Sequence, residues 1–266
     1  MRIHLLTPEG VSLPTRELDP GDADLARDLG IDDVVGAMAG GDAFLRDVAR
    51  DVLLRPLTDL AAIGWRREVL HDALTHPDAV RELYRIATDA TGAESRVRGW
   101  WISSEPSSVL GRSVALMRAL LDPLRALRRW AGTHGPALES AGLRGLAEEV
   151  RRTLPEEWFG QVESHLGRLS NPDVVMTAHL GPTGRGAGYV LTALEPARRS
   201  WLGRQPRSDE TTVAVPPTDT AGGQALTELR ERGLRPVATA FAQSSDQVLA
   251  TFAQLRRESA FLAGCV

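Results

Sequence analysis

The 266-residue chain is 42% hydrophobic and 25% charged, values that exclude wholesale disorder or a fibrous repeat and allow one large domain or two small ones. Its net charge of −4 supplies no overall field that would draw it onto nucleic acid, so any such contact has to come from a local patch. All the basic side chains apart from histidine are arginine, and without lysine a phosphate-binding P-loop, a lysine Schiff base and a lysine general base are excluded.

Cys265 is the single cysteine, which rules out an internal disulfide or a cysteine-based zinc site and suits a reducing compartment. It reads as a small apolar residue rather than a reactive thiol. The N-terminal apolar run is too short for a signal peptide and no stretch has the length of a membrane span, so the expectation is a cytoplasmic protein with no membrane partner.

In chain order, Arg2 to Leu6 reads as a short strand, followed by a Pro/Gly/Asp-rich arm to about Asp24. Asp42 caps a helix from Ala43 to Leu54, which must stop before Pro56 because the residue preceding proline avoids the helical region. Thr58 or Asp59 caps the next, whose Ile63, Leu70 and Leu74 fall on one apolar face. Pro77 then opens a third helix as its first residue, with Val80, Leu83 and Ala87 at helical spacing. From Ser108 to Trp130 a longer helix carries Leu110, Val114, Met117, Leu121 and Leu124, a coiled-coil-like seam in which Pro123 predicts a kink or break. Two amphipathic segments follow, Leu143 to Arg152 and Glu156 to Leu169.

At Asn171 the pattern changes. Val174 to Leu180 and Tyr189 to Leu194 read as strands joined by the glycine-dense GPTGRGAG, with a third short strand at Thr211 to Val215. Helix resumes near Gly223, breaks at Gly233 and restarts at Pro236. Its last stretch sets Phe241, Ser245, Val248, Phe252, Leu255, Ser259 and Leu262 at alternating steps of four and three. The core seam expected there is Phe241, Val248, Phe252, Leu255 and Leu262. Internal packing is its first reading and a homodimer its second. Since the apolar end at Cys265 and Val266 supplies little capping, a further domain is expected after it.

Chemical motifs are sparse. Glu68 and His71 have the i, i+3 spacing of helical-bundle metal sites, but a di-iron centre needs a second such pair and two further glutamates, and no second pair is present; the pair reads as solvated, and no metal is expected. GPTGRGAG follows a strand, as a phosphate loop would, yet a strand rather than a helix follows it, so a hairpin loop is the better reading. Arg185, Arg198, Arg199, Arg204 and Arg207, with Trp201, form the densest basic stretch and are the candidate contacts to a nucleic-acid backbone; the plainer reading is a solvated loop.

One stretch carries a family resemblance. LRDVARDVLLRPLTDLAAIGWRREVLHDALTHPDAVREL, with Arg55-Pro56-Leu57-Thr58-Asp59, Ile63, Arg66 and Val69-Leu70, resembles the core, or lever, domain of the MutS family of DNA mismatch-repair ATPases. The terminal AFAQSSDQVLATFAQLRRESAFLAGCV is similar to the returning lever helix that leads, in that family, into the nucleotide-binding domain. The resemblance covers about half the chain. It implies a mainly α fold, a bundle of long and short helices forming lever-like arms with a small antiparallel β section. The implied organisation is 1–40 strand and arm, 41–170 helical core, 171–218 β-containing section in the place of a DNA clamp, and 219–266 returning helix. The chain departs from the family in having neither room for the N-terminal mismatch-reading domains nor any Phe-x-Glu, and it lacks GxxxxGK[ST]. The implied role is mechanical: a non-enzymatic lever with no cofactor of its own, linking DNA to an ATPase domain that would bind ATP and Mg²⁺. The reading from another class is a free-standing helical scaffold without a nucleic-acid role.

Overall fold

A computed structural model describes residues 3–11, 20–98, 104–170, 174–180, 186–193 and 220–266. The fold is mainly α-helical. In order come α1 (Pro20–Asp28), α2 (Ile31–Ala39), α3 (Ala43–Leu53), α4 (Leu60–Thr75), α5 (Pro77–Arg98), α6 (Pro106–Thr133), a 3₁₀ turn (Gly135–Ala137), α7 (Ala141–Thr153), α8 (Glu156–Ser170) and α9 (Thr220–Gly264). Between α8 and α9, β1 (Val174–Leu180) and β2 (Gly186–Ala193) pair antiparallel, Val174 opposite Ala193 and Leu180 opposite Gly186, with an irregularity between Thr177 and His179.

Three helices start where a short polar side chain captures a free amide of the first turn. Asp42 accepts from the Leu45 N–H at 3.1 Å, Asp59 from Ala62 at 2.8 Å and Ser140 from Leu143 at 3.3 Å. The opening helix-corner-helix pattern follows from these caps together with Pro56 and Pro77.

Five sequence expectations change. Arg2 to Leu6 is not a strand over its described residues: Ile3 to Thr7 is irregular backbone, and it pairs with side chains instead of a neighbouring strand. The N-terminal arm contains α1 and α2, the latter bounded by Gly30 (φ 63°) and Gly40 (φ 52°), whose left-handed conformation ends and restarts helix at little steric cost. The Ile63 face of α4 is exposed, and Ala62, Val69, Asp72 and Ala73 are buried in its place. The expected breaks at Pro123 and at Gly233 are absent. α6 runs through Pro123, and α9 runs through Gly233 and Pro236 for 45 residues, roughly 65 Å. Buried residues on both sides, Leu120 and Leu124 in α6 and Leu234 and Ala238 in α9, hold each helix together against the ~3 kcal/mol cost of an internal proline. Finally, among the described residues the expected β section amounts to the two-stranded ladder β1–β2 alone, and a lone pair of strands makes no packed layer. The third strand, Thr211 to Val215, lies outside the described residues.

The chain forms two compact units. One comprises Met1–Trp100, Ala115–Val162 and Ser245–Val266, the other Trp101–Val114 and Glu163–Ser244, so that α6 and α9 each contribute residues to both. In the first, Trp130, Phe159, Phe252, Leu83, Ile86, Leu120, Leu127 and Leu143 are fully buried. The Trp130 indole N–H donates to the Ala79 carbonyl at 2.8 Å, so burying the ring leaves no orphaned donor between α6 and α5. In the second unit, Leu110, Val114, Leu166, Leu234 and Ala238 are buried, and the Glu231 carboxylate accepts the Ser107 N–H at 2.9 Å in the first turn of α6.

α7 packs on α4 through a glycine. A Cβ at Gly142 would stand 2.6 Å from Cγ2 of Val69 and 3.2 Å from the His4 carbonyl oxygen, so the two helices are closer than any side chain permits. Gly142→Ala should therefore lower unfolding free energy by about 1–3 kcal/mol, and adding Val69→Ala should return part of that loss when both variants are followed by chemical denaturation; a fully additive double variant would show that the contact is not the cause.

Candidate functional site

The last turns of α9 hold the N-terminal segment by its backbone. Gln254 and Glu258, one helical turn apart, point the same way. Glu258, only 8% exposed, accepts the Leu5 N–H at 2.6 Å and the Leu6 N–H at 3.3 Å on one carboxylate oxygen, and the Gln254 amide at 2.8 Å on the other. The same Gln254 nitrogen donates to the Ile3 carbonyl at 2.8 Å, and Nε of Arg66, on α4, donates to the Leu6 carbonyl at 3.1 Å. Burial pushes the Arg66 guanidinium below its ordinary pKa. Ile3, Leu5 and Leu6 are fully buried, and an extended segment can be buried only if its amides and carbonyls find partners. These three side chains do the work of a neighbouring strand.

A second polar knot ties α3, α5 and α9. Asp42, the cap of α3, also accepts the Tyr84 hydroxyl at 2.7 Å, and the Arg256 guanidinium lies 3.8 Å over the Phe44 ring. Burial acts to raise the Asp42 carboxyl, but Tyr84, the Leu45 and Phe44 N–H groups and the Arg256 charge together hold it below the ordinary carboxylate value. Tyr84 shifts the other way, raised by burial and by its bond to Asp42. A third knot joins α4 to α7, where the Asp72 carboxylate accepts the Ser140 N–H at 2.9 Å, the Ser140 hydroxyl at 2.7 Å and the Glu139 N–H at 3.1 Å. The carboxylates of all three knots are engaged inside the chain, which suits holding helices at fixed positions rather than reacting with a substrate.

The predicted contact residues Arg185, Arg198, Arg199, Arg204 and Arg207 lie outside the described residues. Glu68 and His71 are exposed beside an open polar cleft that Arg67, Thr75, His76 and Glu139 also line. Among the described residues no group of three or more His, Cys, Asp or Glu could hold a metal ion. Cys265 is half-buried, and that burial raises its thiol pKa. Along α9, Phe252, Leu255 and Leu262 are buried, whereas Phe241 and Val248 are half-buried. Ser245 and Ser259 are buried as well, and the Ser259 hydroxyl is satisfied within its own helix by the Leu255 carbonyl at 2.6 Å.

The clamp residues Gln254 and Glu258 and the knot residues Tyr84, Arg256 and Asp72 escape a reading of periodicity. A signal was present for one of them. Glu258 stands three residues after Leu255 and four before Leu262, beside the apolar arc, where a carboxylate needs a partner. The identity of that partner, more than 250 residues away, carried no local mark.

A family model for the MutS2 N-terminal domain matches residues 58–266. The chain belongs to the MutS2 N-terminal domain family. No curated protein and no solved structure matches it. The MutS2 match takes in the α4 cap Asp59, the clamp residues Arg66, Gln254 and Glu258, and Asp72, while the N-terminal segment and α1 to α3 precede it. Of the Pro-Leu-x-Asp stretch, Asp59 caps α4, Arg66 holds the N-terminal segment and Val69 packs against Gly142, so these residues have structural work of their own in this MutS2 domain.

Two outcomes follow. Glu258→Ala leaves two buried N–H groups without an acceptor and should cost about 2–4 kcal/mol of stability; in a variant lacking the first seven residues the same substitution should cost much less, and an equal cost would remove the N-terminal segment from the account. Asp42 has a folded-state pKa below the unfolded one, so its contribution is complete above the ordinary value of 3.8 and is lost as pH falls through the lower folded value. The stability gap between the wild type and Asp42→Asn should accordingly narrow below pH 3.8 in denaturation series at several pH values.

Proposed function

We propose that this MutS2 N-terminal domain acts as a lever, carrying motion along α9 between DNA contacts and the nucleotide-binding domain that the family resemblance implies. The observation that carries the reading is α9 itself. It is 45 residues of unbroken helix whose residues up to Ser244 belong to one compact unit, and whose remainder is buried and clamped in the other through Gln254, Arg256 and Glu258. A continuous helix clamped at one end is stiff enough to convert rotation at its root into displacement further along. The polar knots add to this, because hydrogen-bonded networks in a low-dielectric interior resist gradual deformation.

The chain supplies no nucleotide chemistry. Without lysine or GxxxxGK[ST], its residues do not fit the phosphates of ATP, so no catalytic step is assigned to it. Its proposed contribution to DNA is contact with the backbone through Arg185, Arg198, Arg199, Arg204 and Arg207, a reading supported by their density in the sequence and by their place in it, Arg185 between β1 and β2 and the other four between β2 and α9.

Titration of duplex and branched DNA at rising salt tests this. The expected result is weak, sequence-independent binding that falls steeply with salt and weakens further in Arg204→Ala/Arg207→Ala. Absence of binding at low salt would overturn the DNA part of the reading and leave the helical scaffold as the better one.

A further inference from the structure

The chain's surplus of negative charge sits in one place. Residues 20–40, which form α1, the Gly30 turn and α2, carry five aspartates and one arginine, a net −4 equal to that of the whole protein, so the remaining residues balance. Asp22 is buried, while Asp24, Asp28, Asp32 and Asp33 are exposed. Two of the exposed acids have surface partners, Asp24 with Arg27 at 2.9 Å and Asp32 with Arg50 at 3.4 Å, and pairs so open to water contribute little and exchange readily for another cation. Asp28 and Asp33 have no ion-pair partner among the described residues.

The same two helices expose large apolar side chains. Leu25 is 45% exposed, Leu29 64% and Val34 52%, whereas Ala26, Val35 and Ala39 take the buried faces. Leu25 and Leu29 are one turn apart, the Leu29 N–H donating to the Leu25 carbonyl at 3.0 Å, and Asp24 and Asp28 follow the same four-residue step, so an apolar row and an acidic row lie side by side. Val34 stands just across the Gly30 turn, its N–H donating to the Gly30 carbonyl at 3.3 Å, with Asp33 beside it in sequence. Single exposed leucines are ordinary on a protein surface, but three large apolar residues flanked by four exposed acids of one sign are a patch with a preference.

We propose that α1 and α2 form a docking face for a basic amphipathic segment of a partner protein, one that carries lysine or arginine beside apolar anchors. Charge selects among the occupants. The four aspartates repel nucleic acid and anionic lipid, and a second copy set face to face would bring like charges together. A simple cation leaves the leucines uncovered. A basic amphipathic segment covers the apolar row and neutralises the acidic row in one contact. The exposed apolar face of α4, with Leu60, Ile63 and Leu74, has no such selectivity, because Arg67 and Glu68 stand together on that helix with opposite signs. The MutS2 match begins at residue 58, so α1 and α2 lie outside the segment shared with the family, and the lever proposed for α9 does not require them. Two nine-residue helices offer a face at the small end of protein interfaces, and binding is accordingly weak, with a Kd of about 10–100 µM.

Fluorescence anisotropy of a labelled peptide of about 14 residues, leucine at i, i+3, i+4 and i+7 and lysine elsewhere, tests this when the full chain is titrated from about 1 µM to about 0.5 mM. The expected result is saturable binding that weakens as salt rises, and no binding of the same peptide with glutamate in place of lysine. Leu25→Ser/Leu29→Ser and Asp28→Asn/Asp33→Asn should each weaken binding at least ~5-fold. All four side chains are exposed, so far-ultraviolet circular dichroism of both variants should match the wild type. A wild type that does not bind the leucine-lysine peptide overturns the proposal, as do folded variants that bind it as tightly as the wild type and a glutamate peptide that binds equally well. Uncharged phosphatidylcholine vesicles that co-sediment with the wild type and not with Leu25→Ser/Leu29→Ser would assign the face to a lipid surface and overturn it too.

Discussion

A buried carboxylate governs how this domain is assembled. Glu258 lies near the end of α9, and its two oxygens receive backbone amides from the opposite end of the chain together with the Gln254 side chain. A charge in that position is tolerable only when its lone pairs are filled, and here the filling groups are N–H donors of an otherwise irregular segment. The dependence runs both ways. Leu5 and Leu6 can enter the core because Glu258 accepts their amides, and Glu258 can leave solvent because they donate.

The same logic recurs at the other joints. Asp42 caps α3 and receives Tyr84 of α5; Asp72 of α4 receives both the backbone and the hydroxyl of Ser140, which in turn caps α7. In each case a short acid ties the start of one helix to another element. Joints of this kind fix angles more sharply than apolar contact does, because a hydrogen bond loses its strength within a few tenths of an ångström and a few tens of degrees. For a MutS2 domain read as a mechanical part, this is where rigidity would be expected.

α9 shows how tertiary packing outweighs local preference. Gly233 and Pro236 should end a helix, and in an isolated peptide they would. In the fold both are exposed, with buried Leu234 and Ala238 on the inner side, so the helix continues. The α4 face makes the converse point. Its heptad stripe has the pattern of a buried seam, yet it remains on the outside while Ala62, Val69 and Ala73 are buried, Val69 where α7 approaches through Gly142. Periodicity identifies an apolar face without saying which face the neighbours choose.

Much of the scaffold was determined by the sequence itself: the helical class, the cap Asp42, a cap at Thr58 or Asp59, the start of α5 at Pro77, the spacing of Val80, Leu83 and Ala87, and the α6 seam from Leu110 to Leu124. Caps, corners and periodic apolar residues act over one or two turns, so their physics is complete within a few neighbouring residues. Only the tertiary structure decided that Ile3 to Thr7 is clamped rather than paired as a strand, that α6 and α9 pass through their prolines, and that Glu258, Arg66, Tyr84 and Asp72 are the joints. Those outcomes depend on partners 40 to more than 250 residues away, brought together by packing whose energy is spread over the whole core.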